Sequence, residues 1–315
     1  MNFTTKISIS KSNSQINYSS KIISIGSCFA STMGEKFEYF KFQNTVNPFG
    51  IIFNPISIEN LINRAVNQIE FTENDIFFYN ESWHCFEVHS VLSNTSSQLF
   101  LEKLNRILHY FRTQTIEATH YIITYGTSWI YRNKTSNTIV ANCHKVAQNQ
   151  FNKEILSVEV IEKSIQNTID LVKKVNPNCQ FIFTISPVRH IKDGFVENQL
   201  SKAHLITSLQ SAISNLQTAN YFPSYEILLD ELRDYRYYTE DMLHPNKIAI
   251  DYIWERFCES TISEDSFPIM EEISTIQKSL LHKPFNPNSE SHLKFIAKLN
   301  KKMSTLVSKY PNIQF

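Results

Sequence analysis

What the chain lacks narrows its function first. It has no net charge, with 30 Lys and Arg against 30 Asp and Glu, so it carries no electrostatic footprint for nucleic acid or an anionic membrane surface. No apolar run reaches membrane-spanning length, so no membrane insertion is expected, and residues 1–20 are polar and lack an apolar secretion core. The five cysteines (Cys28, Cys85, Cys143, Cys179, Cys258) are odd in number, widely spread and without CxxC spacing. They read as reduced thiols, which points to a cytoplasmic protein rather than a disulfide framework. The ten histidines show no HExxH or comparable spacing, so neither a metal nor another cofactor is expected. Glycine is scarce, five in all, beside plentiful Asn, Ile, Lys and Ser, a bias that genome composition explains as well as function does. There is no internal repeat and no low-complexity segment.

What is present centres on Lys21–Ser31, KIISIGSCFAS. Ile22, Ile23 and Ile25 are β-branched and apolar, which predicts a short buried strand. Gly26 allows a tight turn, and Phe29, Met33, Phe37 and Phe40 then recur at helical spacing. A strand that turns on glycine straight into a helix leaves its Ser or Cys among unpaired N–H groups, which can hold a developing negative charge. Ser27 is therefore a candidate acyl-transfer nucleophile. A serine-capped β–turn–α junction without chemistry has the same sequence. Cys28 is an alternative nucleophile, because thiols at helix N-termini are acidified, although packing is the favoured reading.

Amphipathic helices and apolar strands alternate along the rest of the chain. A second short strand precedes the loop Asn47-Pro48 to Asn54-Pro55, and a helix follows with Ser57 as its N-cap. Hairpins are predicted near 75–92 and 129–142, buried strands at His120–Tyr125 and Gln180–Ile185, and two helices after Phe267. This alternation predicts an α/β fold with a parallel sheet covered on both faces. The reactive residues follow the carboxyl ends of the strands, where such sheets place their sites.

The second informative stretch is Glu240–Asn246, EDMLHPN. An Asp three residues before a His can accept its Nδ1–H and turn Nε2 outward as a base, the neighbour a serine hydroxyl needs. A solvated helix-entry loop is the plainer alternative. Arg233, Asp234 and Arg236 would tie this loop down by ion pairs. Tyr125, Trp129, Tyr131, Tyr237 and Tyr238 would form either a substrate platform or ordinary packing.

Gly26-Ser27-Cys28-Phe29-Ala30, with NPFGIIFNP, YGTSWIY, ANCHK, SPVRHIKDG, YFPSYEI, DELRDYRYYTEDMLHP and YIWERF in order, resembles the bacterial GSCFA family from about Lys21 to Phe257. That family is grouped with the SGNH (GDSL-like) hydrolases. The resemblance implies a three-layer α/β/α, flavodoxin-like domain over 21–260, after a polar lead-in at 1–20 and before a C-terminal helical extension at 261–315. It implies a catalytic triad of Ser27, Asp241 and His244. The oxyanion hole would come from the N–H groups of Ser27 and Gly50. Its third donor departs from the pattern, since Gly126-Thr127-Ser128 has serine where the superfamily has asparagine; Ser128, Thr127 or Asn142 would replace it. Thr127, His144, Lys145, Arg189 and His190 are the candidate substrate-binding residues. The implied activity is hydrolysis of an acyl ester, on a small molecule or an O-acylated carbohydrate. Acyl transfer with the same triad, or a silent binding or scaffolding protein of the same fold, are the alternatives, and the oligomeric state stays open.

Overall fold

The computed structural model describes residues 4–315. Its centre is a five-stranded parallel sheet of β1 (Lys21–Gly26), β2 (Gln43–Val46), β3 (His120–Tyr125), β4 (Gln180–Ile185) and β5 (Ala219–Phe222), in the order β2-β1-β3-β4-β5. Sheets of this flavodoxin-like order reverse direction between strands one and three, and ligands bind outside the carboxyl ends there. Gly26, at the end of β1, stands opposite Thr124 of β3, at that reversal.

The strands are buried on both faces because successive side chains serve two cores. Ile22, Ile122 and Ile182 face one core with α1 (Cys28–Tyr39). Ile23, Ile25, Ile123, Phe181 and Phe183 face the other. That second layer holds α2 (Pro55–Asn67), α3 (Ser97–Glu117), α4 (Val158–Val175) and α5 (Phe195–Ile213). The first layer is completed by α6 (Lys247–Thr261) and α7 (Phe267–Leu280), with α8 (Glu290–Lys309) packed outside them. The result is the expected three-layer α/β/α architecture with C-terminal helices. No helix among the described residues is long and apolar enough to cross a membrane.

Local departures have local causes. The helix expected to be capped by Ser57 begins at Pro55 and is capped by Asn54, whose Oδ1 accepts the Ser57 N–H at 2.9 Å; proline is preorganised for a first helical position. The first hairpin pairs Phe77–Tyr79 with Ser82–His84 through Asn80 and Glu81, both at positive φ, and is shorter than the predicted 75–92. The second hairpin gains a third strand, Phe151–Ile155, against Trp129–Asn133. Only Phe151 of that strand is buried, so its polar residues concealed it. The polar lead-in also contributes to the core: Ile16 is buried and pairs with Ile262, and Tyr18 is buried beside it.

Candidate active site

The site is assembled from the turn that ends β1. Gly26 has φ +136°, and a Cβ there would stand 2.1 Å from the Thr124 carbonyl oxygen, so only glycine fits. The turn is bonded from three sides. Ser27 N–H donates to Thr124 O and Ile52 N–H to Gly26 O, both at 3.0 Å, while Gly26 N–H donates to Asn47 Oδ1 at 2.8 Å. Asn47 also donates from Nδ2 to Ser31 Oγ at 2.8 Å, which joins the turn to the first turns of α1. Ser27 is the N-cap of α1 and is 2% exposed. Its Oγ accepts the Phe29 N–H at 3.2 Å, and it makes no hydrogen bond to His244.

Cys28 is the first residue of α1 and is partly exposed. Burial pushes its thiol up from the ordinary range, the N–H groups of Phe29 and Cys28 and the charge of Lys202 draw it down, and the Asp241 carboxylate pushes it up.

Asp241 and His244 form a close pair. The carboxylate Oδ2 lies 2.6 Å from His244 Nδ1. Its Oδ1 accepts from the Thr239 hydroxyl at 2.7 Å, Leu243 N–H at 2.8 Å and His244 N–H at 3.0 Å. These donors, the His244 N–H foremost, hold the Asp241 carboxyl far below the usual carboxylate range. An ionised Asp241 on Nδ1 fixes the tautomer whose Nε2 is a free acceptor. The half-exposed ring leaves that nitrogen open to a reacting proton.

Arg189, a candidate substrate-binding residue, is in contact with this loop. Its guanidinium lies over the rings of Tyr238 and Tyr235, at 4.5 and 5.2 Å to the centroids. It donates to Met242 O, and Arg189 N–H donates to Leu243 O at 3.4 Å. Asp234 and Arg236 pair at 2.9 Å at the start of the loop, and Asn246 caps α6 through Ala249 N–H at 3.1 Å. His190 lies alongside. Its buried Nε2 has no partner and stands 3.4 Å from where a Cβ on Gly126 would be. Burial, with the charges of Lys202 and His244, pushes its imidazole down to about 3, so it is neutral.

Lys202, of which sequence reasoning took no notice, lies beneath the strand ends. It is 1% exposed and donates to Gly126 O and Ser186 O, each at 2.7 Å. Burial lowers it to about 7. Its signal in the sequence is positional: Asn198, Ser201, Lys202, Leu205 and Leu209 fall on the buried face of α5, and a lysine on such a face needs a reason. Asn47 was likewise passed over as turn punctuation.

The other expected residues are placed elsewhere or already engaged. Gly50 N–H donates to Asn47 O at 2.8 Å. Thr127 Oγ1 is 2.8 Å from Ser201 Oγ, which also accepts the Ser128 N–H at 2.8 Å, and Ser128 Oγ donates to Ser201 O at 3.3 Å. Asn142 Oδ1 accepts the His144 N–H at 2.8 Å, and His144 Nε2 lies 2.7 Å from Cys85 O. His144 is buried among Phe77, His84 and Phe86, and burial pushes it down to about 4. Lys145 is exposed. Asn142 and His144 pack with the first hairpin and its flank. Tyr125 is a core residue stacked on Phe183, Trp129 donates from Nε1 to Glu197 O at 3.2 Å, and Tyr131 packs on Phe151.

Fold and geometry together define a three-layer α/β protein with a Ser-Cys helix start at the end of β1 and a carboxylate–imidazole pair in a loop bonded to Arg189, which follows the end of β4. Residues 21–257 match the GSCFA family, and residues 273–315 match the GSCFA domain protein, C-terminal domain. The chain belongs to the GSCFA family. No curated protein and no solved structure matches it.

Proposed function

We propose that the chain is an acyl-ester hydrolase of the SGNH (GDSL-like) type, acting on a small-molecule or O-acylated carbohydrate ester. The observation that carries this is the Asp241–His244 pair, bonded at 2.6 Å with Nε2 free. Arg189 holds it in the loop that follows the sheet's carboxyl edge. In this mechanism His244 Nε2 takes the proton of a nucleophile in the Ser27–Cys28 turn, Ser27 being the residue that matches the superfamily serine. The nucleophile bonds to the acyl carbon, and the imidazolium returns the proton to the departing alkoxide. Water, deprotonated by the same imidazole, then releases the acid. An acceptor hydroxyl in place of that water would make the chain an acyltransferase.

Screening short p-nitrophenyl esters with the full chain and with His244→Asn tests this. Turnover that falls by about 10²–10⁴-fold in the variant supports the reading; turnover that is absent from the wild type, or unaffected by the change, rejects it. A silent binding protein of the same fold is favoured by one observation: the N–H groups of Ser27 and Gly50, expected to hold the oxyanion, are bonded to Thr124 O and Asn47 O. The same screen separates the two readings.

A further inference from the structure

We infer that the thiol of Cys28, and not the hydroxyl of Ser27, is the group that attacks the acyl carbon. The inference rests on the hydrolase reading above and changes its nucleophile.

Ser27 is committed to structure at both ends. Its hydroxyl caps α1 by accepting the Phe29 N–H, its N–H closes the seam between β1 and β3 on Thr124 O, and its side chain is 2% exposed. Freeing that hydroxyl would cost the cap, typically about 1 kcal/mol, and would still leave no N–H of its own for an oxyanion. Cys28 differs at each point. Its side chain is partly exposed. As the first helical residue, its N–H has no intrahelical acceptor and is available to a negative oxygen formed beside it.

Lys202, which draws the thiol down, and Asp241, which pushes it up, are the charged groups that act on it. Cys85, Cys179 and Cys258 are buried. Burial keeps the Cys28 thiol protonated, so it depends on a base, and in the hydrolase reading that base is His244. Beside Gly126 the buried Nε2 of His190 has no hydrogen-bond partner, and a buried polar atom is satisfied only by gaining one. In its Nε2–H tautomer the neutral ring donates there, a role the serine at position 128 cannot take because it is bonded to Ser201.

The step balances as follows. The Cys28 S–H proton passes to His244 Nε2, sulfur bonds to the acyl carbon, the ester C–O bond breaks, and the alkoxide leaves with the imidazolium proton. The thioester is then hydrolysed by water through the same imidazole, which restores the thiol.

The test is to mix the full chain with p-nitrophenyl acetate, quench in acid, and map the acetyl adduct by peptide mass spectrometry before and after neutral hydroxylamine. That reagent cleaves thioesters and spares oxygen esters. The expected result is an adduct on Cys28 that hydroxylamine removes. Acylation should fall on the order of 10³-fold in Cys28→Ala. A Cys28→Ser variant, which keeps the side chain's shape, should give only a slow adduct that resists the reagent. An adduct on Ser27 that resists hydroxylamine, or an adduct that persists in Cys28→Ala, overturns the assignment and leaves the hydrolase reading standing. No adduct and no turnover overturns both.

Discussion

Replacing Lys202 with methionine isolates the consequence of placing an ammonium group under the carboxyl edge of the sheet. The wild-type group is fully buried on two carbonyl oxygens, and burial brings it from its ordinary 10.5 to about 7. The unfolded chain keeps that proton up to the ordinary value, so between about 7 and 10.5 the unfolded state binds more protons than the folded one. Stability therefore rises with pH across that window. Below it both states are charged and the full cost of burial is present; above it both are neutral and the cost is gone. The slope approaches about 1.4 kcal/mol per pH unit, or about 2 kcal/mol between pH 7 and 9. Methionine leaves Gly126 O and Ser186 O without this donor at every pH, an offset of about 1–3 kcal/mol per carbonyl that does not vary with pH. Urea denaturation of both proteins at pH 7, 8 and 9 measures the difference directly. The wild type should gain about 2 kcal/mol on the variant across the series. Parallel curves, or a wild type that loses ground as pH rises, would refute the placement of a strained ammonium here.

Three further outcomes follow from contacts already described. Gly26→Ala should destabilise the fold by about 3 kcal/mol or more in denaturant titration, because the new Cβ meets the Thr124 backbone 2.1 Å away and breaks the seam between β1 and β3. Arg189→Leu removes the guanidinium from over Tyr235 and Tyr238 and from Met242 O; amide exchange at residues 239–246 should quicken while the global unfolding midpoint moves little. Asp241→Asn should lower kcat by about 10²–10⁴-fold with a smaller effect on KM, since an amide on Nδ1 favours the wrong imidazole tautomer. An equal loss in KM alone would mean that Asp241 serves binding instead.

The fold was legible because β1, β3 and β4 are short apolar blocks that stop at Gly or Ser, and both cores demand apolar residues on each face of these central strands. The Asp241–His244 pair was legible because three residues on a tight loop bring carboxylate and imidazole together with no help from the rest of the chain. What stayed hidden depends on partners far away in sequence. Lys202 is one lysine among many until its bonds to Gly126 O and Ser186 O are seen. Gly50 has the right type and place for an oxyanion donor, yet its N–H is taken by Asn47 O, which only the turn geometry reveals. His144 sits in a motif dense in reactive types, but the hairpin around Phe77 and Phe86 buries it. Which of Ser27 and Cys28 caps α1 was the subtlest point, since the two are adjacent at the helix start.

The most direct measurement of the central claim is the pre-steady-state burst of p-nitrophenol from the wild type beside that from His244→Asn, with folding of both checked by circular dichroism. A burst near one equivalent in the wild type, slowed by about 10²–10⁴-fold in the variant, is the predicted result. A burst of equal rate in the two proteins would contradict the claim that His244 is the base for a nucleophile in the Ser27–Cys28 turn.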